Sequence, residues 1–368
     1  MKVAVDAGPT TSGHSVRGVG LYARELISAL EKNKSKYTDL QIYYKDFEKD
    51  DLSEYDLIHK TSFNPFYRNR GLEGINKIIL TIHDLIPLIY PRQYPPGIKG
   101  KYRFNVNRRL IKKNVSLVVT DSETSKKDII RFLDCDPSRI RVVYLAAGIG
   151  AWMINDREKL KKVAERYQLP SKFVFYLGDV NYNKNVPTLI KACSYAGLPL
   201  VIAGKQASLV YQGDPDLDSI RGPRDWARYI FGKPHPEHEH FESLKKMFID
   251  EKVILLGYVS DTDLVSIFNL ATLYVQPSFY EGFGLPVLQA MACGVPVIIS
   301  KTNALVELCG DAAYRADPYD FKDFSGKIIK LISDSSERVK LIRKGLNRVK
   351  EYTWDRTARE MLDIYRSI

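Results

Sequence analysis

Cysteine is scarce. The 368-residue chain has four, Cys135, Cys193, Cys293 and Cys309, scattered with no Cys-x-x-Cys pair. Neither a disulfide framework nor a zinc knuckle is predicted, and a reducing cytoplasm fits the pattern. Long apolar runs are absent as well, since no stretch approaches the roughly 18 residues that a membrane span needs. The opening Met-Lys-Val-Ala-Val-Asp alternates like a short strand and does not read as a signal segment. There is no low-complexity tract and no internal repeat shorter than a domain. The Gly-x-Gly-x-x-Gly turn that a dinucleotide-dependent dehydrogenase carries after its first strand is missing too.

What is present suffices for a sizeable core. Apolar residues make up 45% and aromatics 11% of the chain, which excludes a disordered protein. The length exceeds the roughly 250 to 300 residues at which a single core stops growing, so two domains are expected. The net charge of +11 attracts nucleic acid, anionic lipid headgroups or phosphorylated substrates, and charge alone does not choose among them.

Short β-rich runs alternate with helical patterns from end to end, the signature of parallel sheets with crossover helices. Lys2 to Asp6, Gln41 to Tyr44, Ile78 to Ile82, Leu117 to Asp121 and Arg141 to Tyr144 read as strands, with a helix from about Gly20 to Lys32 after the first. The pattern restarts with Phe173 to Leu177, Leu200 to Ala203, Val253 to Leu256, Leu273 to Val275 and Val297 to Ser300. Residues 1–165 are assigned to a first Rossmann-like domain and 166–352 to a second. Residues 353–368 form a helix, capped by Thr353, that crosses back to the first or covers the second. The polar, Pro-rich stretch Tyr211 to Glu251 reads as an insertion with some helix of its own.

Four segments carry chemistry. The segment from Pro277 to Ile298 reads as strand end, glycine-punctuated loop, Pro286 at a helix start, a Gly stop and another strand. Gly282 and Gly284 allow close backbone approach to a ligand, and the helix near Pro286 points free N–H groups at an anion. Glu281 and Gln289 can then hydrogen-bond hydroxyls of one elongated, phosphate-containing ligand. A second strand runs into Gly178, with Lys184 before the next helix, an arrangement suited to neutralising a diphosphate. The third segment is Val16-Arg17-Gly18-Val19-Gly20, between the first strand and helix. The fourth is His83-Asp84 at a strand end, where α/β folds place ligands. Taken singly, each has a plainer reading as a capped turn, a solvated lysine or a structural histidine.

Together they resemble the retaining glycosyltransferases of family four, which have the GT-B fold: two Rossmann-like parallel-sheet domains facing across a cleft. The family's Glu, seven residues, Glu pattern falls on Glu281 and on position 289, where this chain has Gln. The resemblance implies that Glu281 contacts the transferred sugar and Gln289 the ribose, within a donor loop of Gly282, Phe283, Gly284 and Leu285. Gly178 and Lys184 match the Gly-Arg…Lys-Asn loop, with Asp179 where Arg is common. Gly18 and Gly20 match the family's first glycine loop, and His83 its strand-end histidine beside the donor sugar. The likeness extends through Gly257 to Asp261, Glu307, Gly310 to Ala313 and Tyr352-Thr353-Trp354.

It implies a metal-independent hexosyltransferase with no cofactor beyond the co-substrate, GDP-mannose in preference to a UDP-sugar. The acceptor is a glycan or lipid-linked hydroxyl in cell-surface polysaccharide or glycoconjugate synthesis. The basic run from Tyr90 to Lys113 either solvates a helix face or meets anionic lipid headgroups, which would place the protein peripherally on the inner membrane face. Asp84, Arg103 and Arg108 are its acceptor-side candidates. Nucleic-acid binding ranks lower, because no recognised module is present. His235, His238 and His240 with Glu237 and Glu239 match no common metal-site spacing. The rival readings are a nucleotide-sugar epimerase of the same fold and a non-catalytic anionic-lipid-binding protein.

Overall fold

Two parallel sheets, with their central strands buried on both faces, form the frame of the protein. The computed structural model describes residues 1–11, 18–74, 77–148, 150, 152–212, 236–251 and 253–368. The chain divides into two compact units. The first comprises Met1–Pro91, Pro95–Ile149 and Glu351–Ile368, and the second Arg92–Tyr94 and Gly150–Lys350.

In the first unit the strands are β1 (Lys2–Asp6), β2 (Gln41–Lys45), β3 (Leu57–Lys60), β4 (Lys77–Thr81), β5 (Val115–Thr120) and β6 (Ile140–Val142), in the order β2-β1-β3-β4-β5-β6 and all parallel. The strand β3 escapes sequence reading because it contains His59 and Lys60, although all four of its residues are buried. Those polar side chains tolerate burial because each has a partner: His59 lies between Tyr365 and Thr81, and Lys60 faces Asp6. Ile58, Ile78, Leu80, Val118 and Ile129 build the core between this sheet and its helices.

The helix Trp354–Ser367 packs on the helix Gly18–Asn33 of the first unit. Thr353 caps it by accepting from the Arg356 N–H at 3.2 Å, and Thr357 donates to the Tyr144 carbonyl at 2.7 Å. Its buried face runs through Trp354, Met361 and Leu362 to Tyr365, and Ile364, placed on that face by spacing, is only half-buried.

The second unit contains β7 (Val174–Leu177), β8 (Leu200–Ala203), β9 (Ile254–Gly257), β10 (Leu273–Gln276), β11 (Val297–Ser300) and β12 (Tyr314–Ala316), ordered β12-β11-β10-β7-β8-β9 and parallel throughout. β12 is a three-residue edge strand with an exposed Arg315, too short and polar to show a period. The division at 149/150 corrects the 165/166 boundary. The helix Arg157–Arg166 packs on the helix Asp261–Leu270, and Arg166 pairs with Asp263 at 2.8 Å. At the other end, Tyr352 belongs to the first unit through its edge-on contact with Tyr144.

Within the stretch read as an insertion, residues 213–235, and with them His235, lie outside the described residues. The helix Pro236–Asp250 follows, anchored by Leu244 and Phe248. His240 contacts the Val180 carbonyl at 2.8 Å, and no metal-holding group of His, Cys, Asp and Glu exists among the described residues. All four cysteines are buried and free.

The ends of β7 and β8 approach through backbone alone. Gly204 has φ +147°, and a Cβ there would lie 2.3 Å from the Gly178 carbonyl oxygen. Because the obstacle is main chain, it cannot swing aside. Gly204→Ala is expected to cost on the order of 2–4 kcal/mol, read as a lowered unfolding midpoint in urea.

Candidate functional site

In the second unit the chain builds β7, β8 and β9 outward and then returns to place β10 on the other side of β7. Loops leaving the carboxyl ends of such neighbours diverge and open a crevice, where α/β proteins hold ligands. The loop after β7 carries Lys184 and the loop after β10 carries Glu281, and the structure brings the two into contact. Lys184 Nζ donates to Glu281 Oε2 at 2.8 Å and to Oε1 at 2.9 Å. Glu281 Oε1 also accepts from Ser278 Oγ at 2.6 Å and Gln276 Nε2 at 2.9 Å. The carboxylate is only 7% exposed, so these donors replace the water it has lost.

The two loops are stitched to each other. Phe279 N donates to the Asn183 carbonyl at 2.8 Å and Asn183 Nδ2 to the Tyr280 carbonyl at 3.2 Å. Asn185, at φ 54°, donates to the carbonyls of Pro277 and Pro318 at 2.9 and 2.7 Å. Tyr94 donates to Asn183 Oδ1 at 2.7 Å, which draws residues 92–94 into this unit. Gln276 is oriented by Tyr274, whose hydroxyl donates to its Oε1 at 2.5 Å. None of Gln276, Ser278, Asn183 and Asn185 was singled out from sequence. The available signal was a Gln ending a fully buried strand, since buried amides need partners.

The helix Leu285–Ala292 starts where Pro286 predicts, with no side-chain cap, and Val287 N donates back to the Gly284 carbonyl at 2.9 Å. Gly284, at φ +117°, has a different neighbour from the one expected: a Cβ would meet Leu305 Cδ2 at 2.7 Å and Leu308 Cδ2 at 3.2 Å. Its missing side chain serves packing against the helix Asn303–Cys309. Gly282 and Phe283 are buried, and Leu285 and Gln289 are half-buried on the helix. Gly178, at φ +150°, turns the chain out of β7 beneath the Tyr176 hydroxyl, which is satisfied by the Asp179 carbonyl at 2.6 Å.

The first unit reverses its strand order between β1 and β3. At that point Asp6 and Lys60 form a buried pair at 3.5 Å, and Thr61 Oγ1 donates to the Asp6 carbonyl at 2.9 Å. Burial raises the Asp6 carboxyl above its ordinary range, against the opposing pull of Lys60. Gly18 opens the first helix and Gly20 is buried in its first turn, while Val16 and Arg17 lie outside the described residues.

His83, just past β4, contacts Asp121 Oδ2 through Nδ1 at 2.6 Å and the Thr61 carbonyl through Nε2 at 3.1 Å. A carbonyl only accepts, so Nε2 carries a proton. Burial by itself lowers the basicity of this ring, but the Asp121 carboxylate beside it wins, and the net shift is upward. The edge of Tyr22 meets the ring at 4.6 Å. Asp121 Oδ1 is buried without a hydrogen-bond partner.

Behind this pair, His59 is sealed between Tyr365 (2.7 Å) and Thr81 (2.8 Å). Burial first, then the charge on His83, pushes its pKa down to about 3. Both nitrogens of His83 are thus engaged inside the first unit, and Asp121, Thr61 and Tyr22 are its unforeseen partners.

Of the remaining candidates, Asp84 lies near enough to His83 for its charge to raise the basicity of that ring. Asp84 accepts from the Ile86 N–H at 3.0 Å and so starts the short helix Ile86–Ile89. Arg108, on the helix Gly97–Asn114, reaches the other way to Asp134 at 3.3 Å and the Leu133 carbonyl. That assigns it to closing the helix Glu123–Leu133, where Lys112 joins the same carboxylate. Arg103 is half-buried on the same helix as Arg108.

Two Rossmann-like units with all-parallel sheets, the second carrying Glu281 in a glycine loop before a helix, define the GT-B fold. The chain belongs to the family described as glycosyl transferases group 1, which matches residues 156–348, with Glycosyltransferase Family 4 matching 30–146. It is 29% identical over 310 residues to the O-antigen chain mannosyltransferase B of Escherichia coli, covering 82% of this chain and 72% of that one. It is 25% identical over 291 residues to the serotype-specific mannosyltransferase WbdA of Escherichia coli, where the match covers 78% of this chain but 33% of the relative. Among solved structures, sucrose-phosphate synthase from Thermosynechococcus elongatus superposes with a TM-score of 0.72 over 100% of this chain and 98% of that one, at 16% identity.

The two buried histidines contribute to stability in opposite pH windows. His83, with its pKa raised, contributes fully below the unfolded value of 6.5, and the contribution is lost as pH rises through the folded value. His59, depressed to about 3, contributes fully above 6.5 and costs about 1.4 kcal/mol for each pH unit below it. In urea unfolding across pH 5 to 9, His59→Gln is expected to flatten the acid-side loss. Asp121→Asn is expected to remove more stability at pH 6 than at pH 9. Lys184→Met leaves Glu281 without its cation and is expected to cost about 1–3 kcal/mol by the same assay.

Proposed function

We propose that the protein is a retaining hexosyltransferase that moves a hexose from a nucleotide-diphosphate sugar to a hydroxyl of a glycan or lipid-linked acceptor in cell-surface polysaccharide or glycoconjugate synthesis. The observation that carries the reading is the buried Lys184–Glu281 pair at the β7–β10 divergence. A departing diphosphate attracts Lys184 and the N–H groups at the start of the helix Leu285–Ala292, whose positive end suits developing negative charge. Lys184 then leaves Glu281, and the carboxylate is free to accept hydroxyls of the sugar. Gln289 is the ribose contact. The contact with the transferred sugar that the resemblance gives His83 stays part of the proposal.

In the chemical step the C1–O bond to the diphosphate breaks, the acceptor oxygen bonds to C1 from the same face, and its proton passes to the departing phosphate oxygen. The positive charge is supplied by the protein, so the reading calls for no metal. Mannose from GDP-mannose is the preferred donor, supported by the relatives named as mannosyltransferases, with UDP-sugars the alternative.

A cytoplasmic, peripheral position on the inner face of an anionic membrane completes the proposal. The helix Gly97–Asn114 presents Ile98, Tyr102, Lys99, Lys101, Lys112 and Lys113 to solvent, a mixture suited to headgroups. No helix among the described residues is long and apolar enough to cross a membrane.

A panel of GDP, UDP, ADP and their sugar conjugates tests the donor. The matching nucleotide at a hundred times its Kd is expected to stabilise the fold by about 2.7 kcal/mol, and no response to any of them would sink the reading. With the donor known, Glu281→Gln is expected to lower kcat by at least about 100-fold while the matching nucleotide still stabilises the fold, and EDTA to leave turnover intact. A changed sugar still attached to nucleotide, formed without acceptor, would point to an epimerase instead.

A further inference from the structure

The loops that carry Lys184 and Glu281 also carry aromatic rings, two residues before each: Tyr182 and Phe279. These rings pack at 5.3 Å, and Tyr319 stacks on Phe279 at 5.0 Å with an interplanar angle of 27°. Three rings thus form a ladder that starts beside the ion pair. Its outer rung, Tyr319, is 79% exposed, the highest value among the exposed large hydrophobic side chains of the described residues.

An exposed ring is unremarkable on a mobile loop, but this one is built in. Tyr319 N donates to Asp317 Oδ1 at 2.9 Å, Asp317 N to Asp323 Oδ2 at 2.9 Å, and Asp320 N to the Asp317 carbonyl at 3.1 Å. The preceding Pro318 carbonyl accepts from Asn185 at 2.7 Å, the same asparagine that ties the Lys184 loop to Pro277. The turn is therefore fixed to the loops of the ion pair, and the ring is preorganised at no further ordering cost.

We propose that Tyr319, backed by Phe279 and Tyr182, is a stacking platform for a neutral sugar unit of the acceptor chain. The identity of that ligand rests on the glycosyltransferase reading. A pyranose has a C–H face and a rim of hydroxyls. The electron-rich face of Tyr319 complements polarised C–H groups, and the carboxylates flanking it accept hydroxyls. Asp317 and Asp320 each use Oδ1 for a backbone N–H and have a second oxygen left. Two carboxylates also select against the competing planar ligand. A nucleobase arrives with a diphosphate, and its negative charge is repelled by Asp317 and Asp320, whereas a neutral sugar is not. The platform would hold a unit of the growing chain while the terminal hydroxyl is presented for transfer, so longer acceptors bind better than the monosaccharide.

Saturation-transfer NMR on the full chain, with tetrasaccharides of mannose, glucose and galactose as probes, tests this directly. Transfer to the C–H protons of one sugar face is expected for at least one probe in the wild type and in Tyr319→Phe. In Tyr319→Ala affinity is expected to fall at least about tenfold, the loss of one stacking contact, while the Kd for the nucleotide stays as it was. The proposal is overturned if no tetrasaccharide shows transfer in the wild type, or if Tyr319→Ala binds as the wild type does. It is equally overturned if that variant weakens the nucleotide, because the ring then stacks on the base. Failure of the glycosyltransferase reading is a separate result, visible as no nucleotide binding in the wild type.

Discussion

A carboxylate taken out of water must be surrounded by donors, and much of the second unit is arranged to surround Glu281. Strand order supplies the opening between β7 and β10. Asn183 and Asn185 hold the loop that delivers Lys184, and Tyr274 turns the amide of Gln276 so that its N–H faces Glu281. Truncating any of these partners leaves the others with unmet hydrogen bonds, which is why such a network behaves as a unit. The cation that stabilises the carboxylate is on a flexible stem, and in the proposed reaction it is the group drawn to phosphate.

The first unit meets the same problem twice. Asp6 is balanced by Lys60, and Asp121 by the ring of His83, whose basicity it raises. Neutral His59 sits behind His83, linked to it through Thr81 and Tyr22, and takes its other contact from Tyr365 on the helix Trp354–Ser367. The basicities of these two histidines thereby shift in opposite directions. The carboxylate beside one and its absence beside the other set the difference.

The parallel α/β character, most strand positions and the Glu281 loop were legible because buried parallel strands read as apolar runs and because Gly and Pro punctuate turns. β3 was not, since the buried His59 and Lys60 make a central strand look polar, and only partners remote in sequence reveal why they are tolerated. Lys184 and Glu281 were legible as candidates but not as a pair: nothing local tells that loops 97 residues apart meet. Arg108 was placed by its charge in a basic run, whereas Asp134 claims it. Gly284 shows a further limit, because its glycine answers to Leu305 and Leu308 on another helix.

The helix Trp354–Ser367 belongs to the first unit although residues 150–350 separate it in sequence from the strands of that unit. As the chain leaves the ribosome, residues 150–350 emerge and can close their core while His59 and the first-unit helices still lack that cover. The half of the protein made first is therefore finished last. Its polar interior around His59 must stay wet, or be sheltered by a chaperone, until Tyr365 arrives to replace the water.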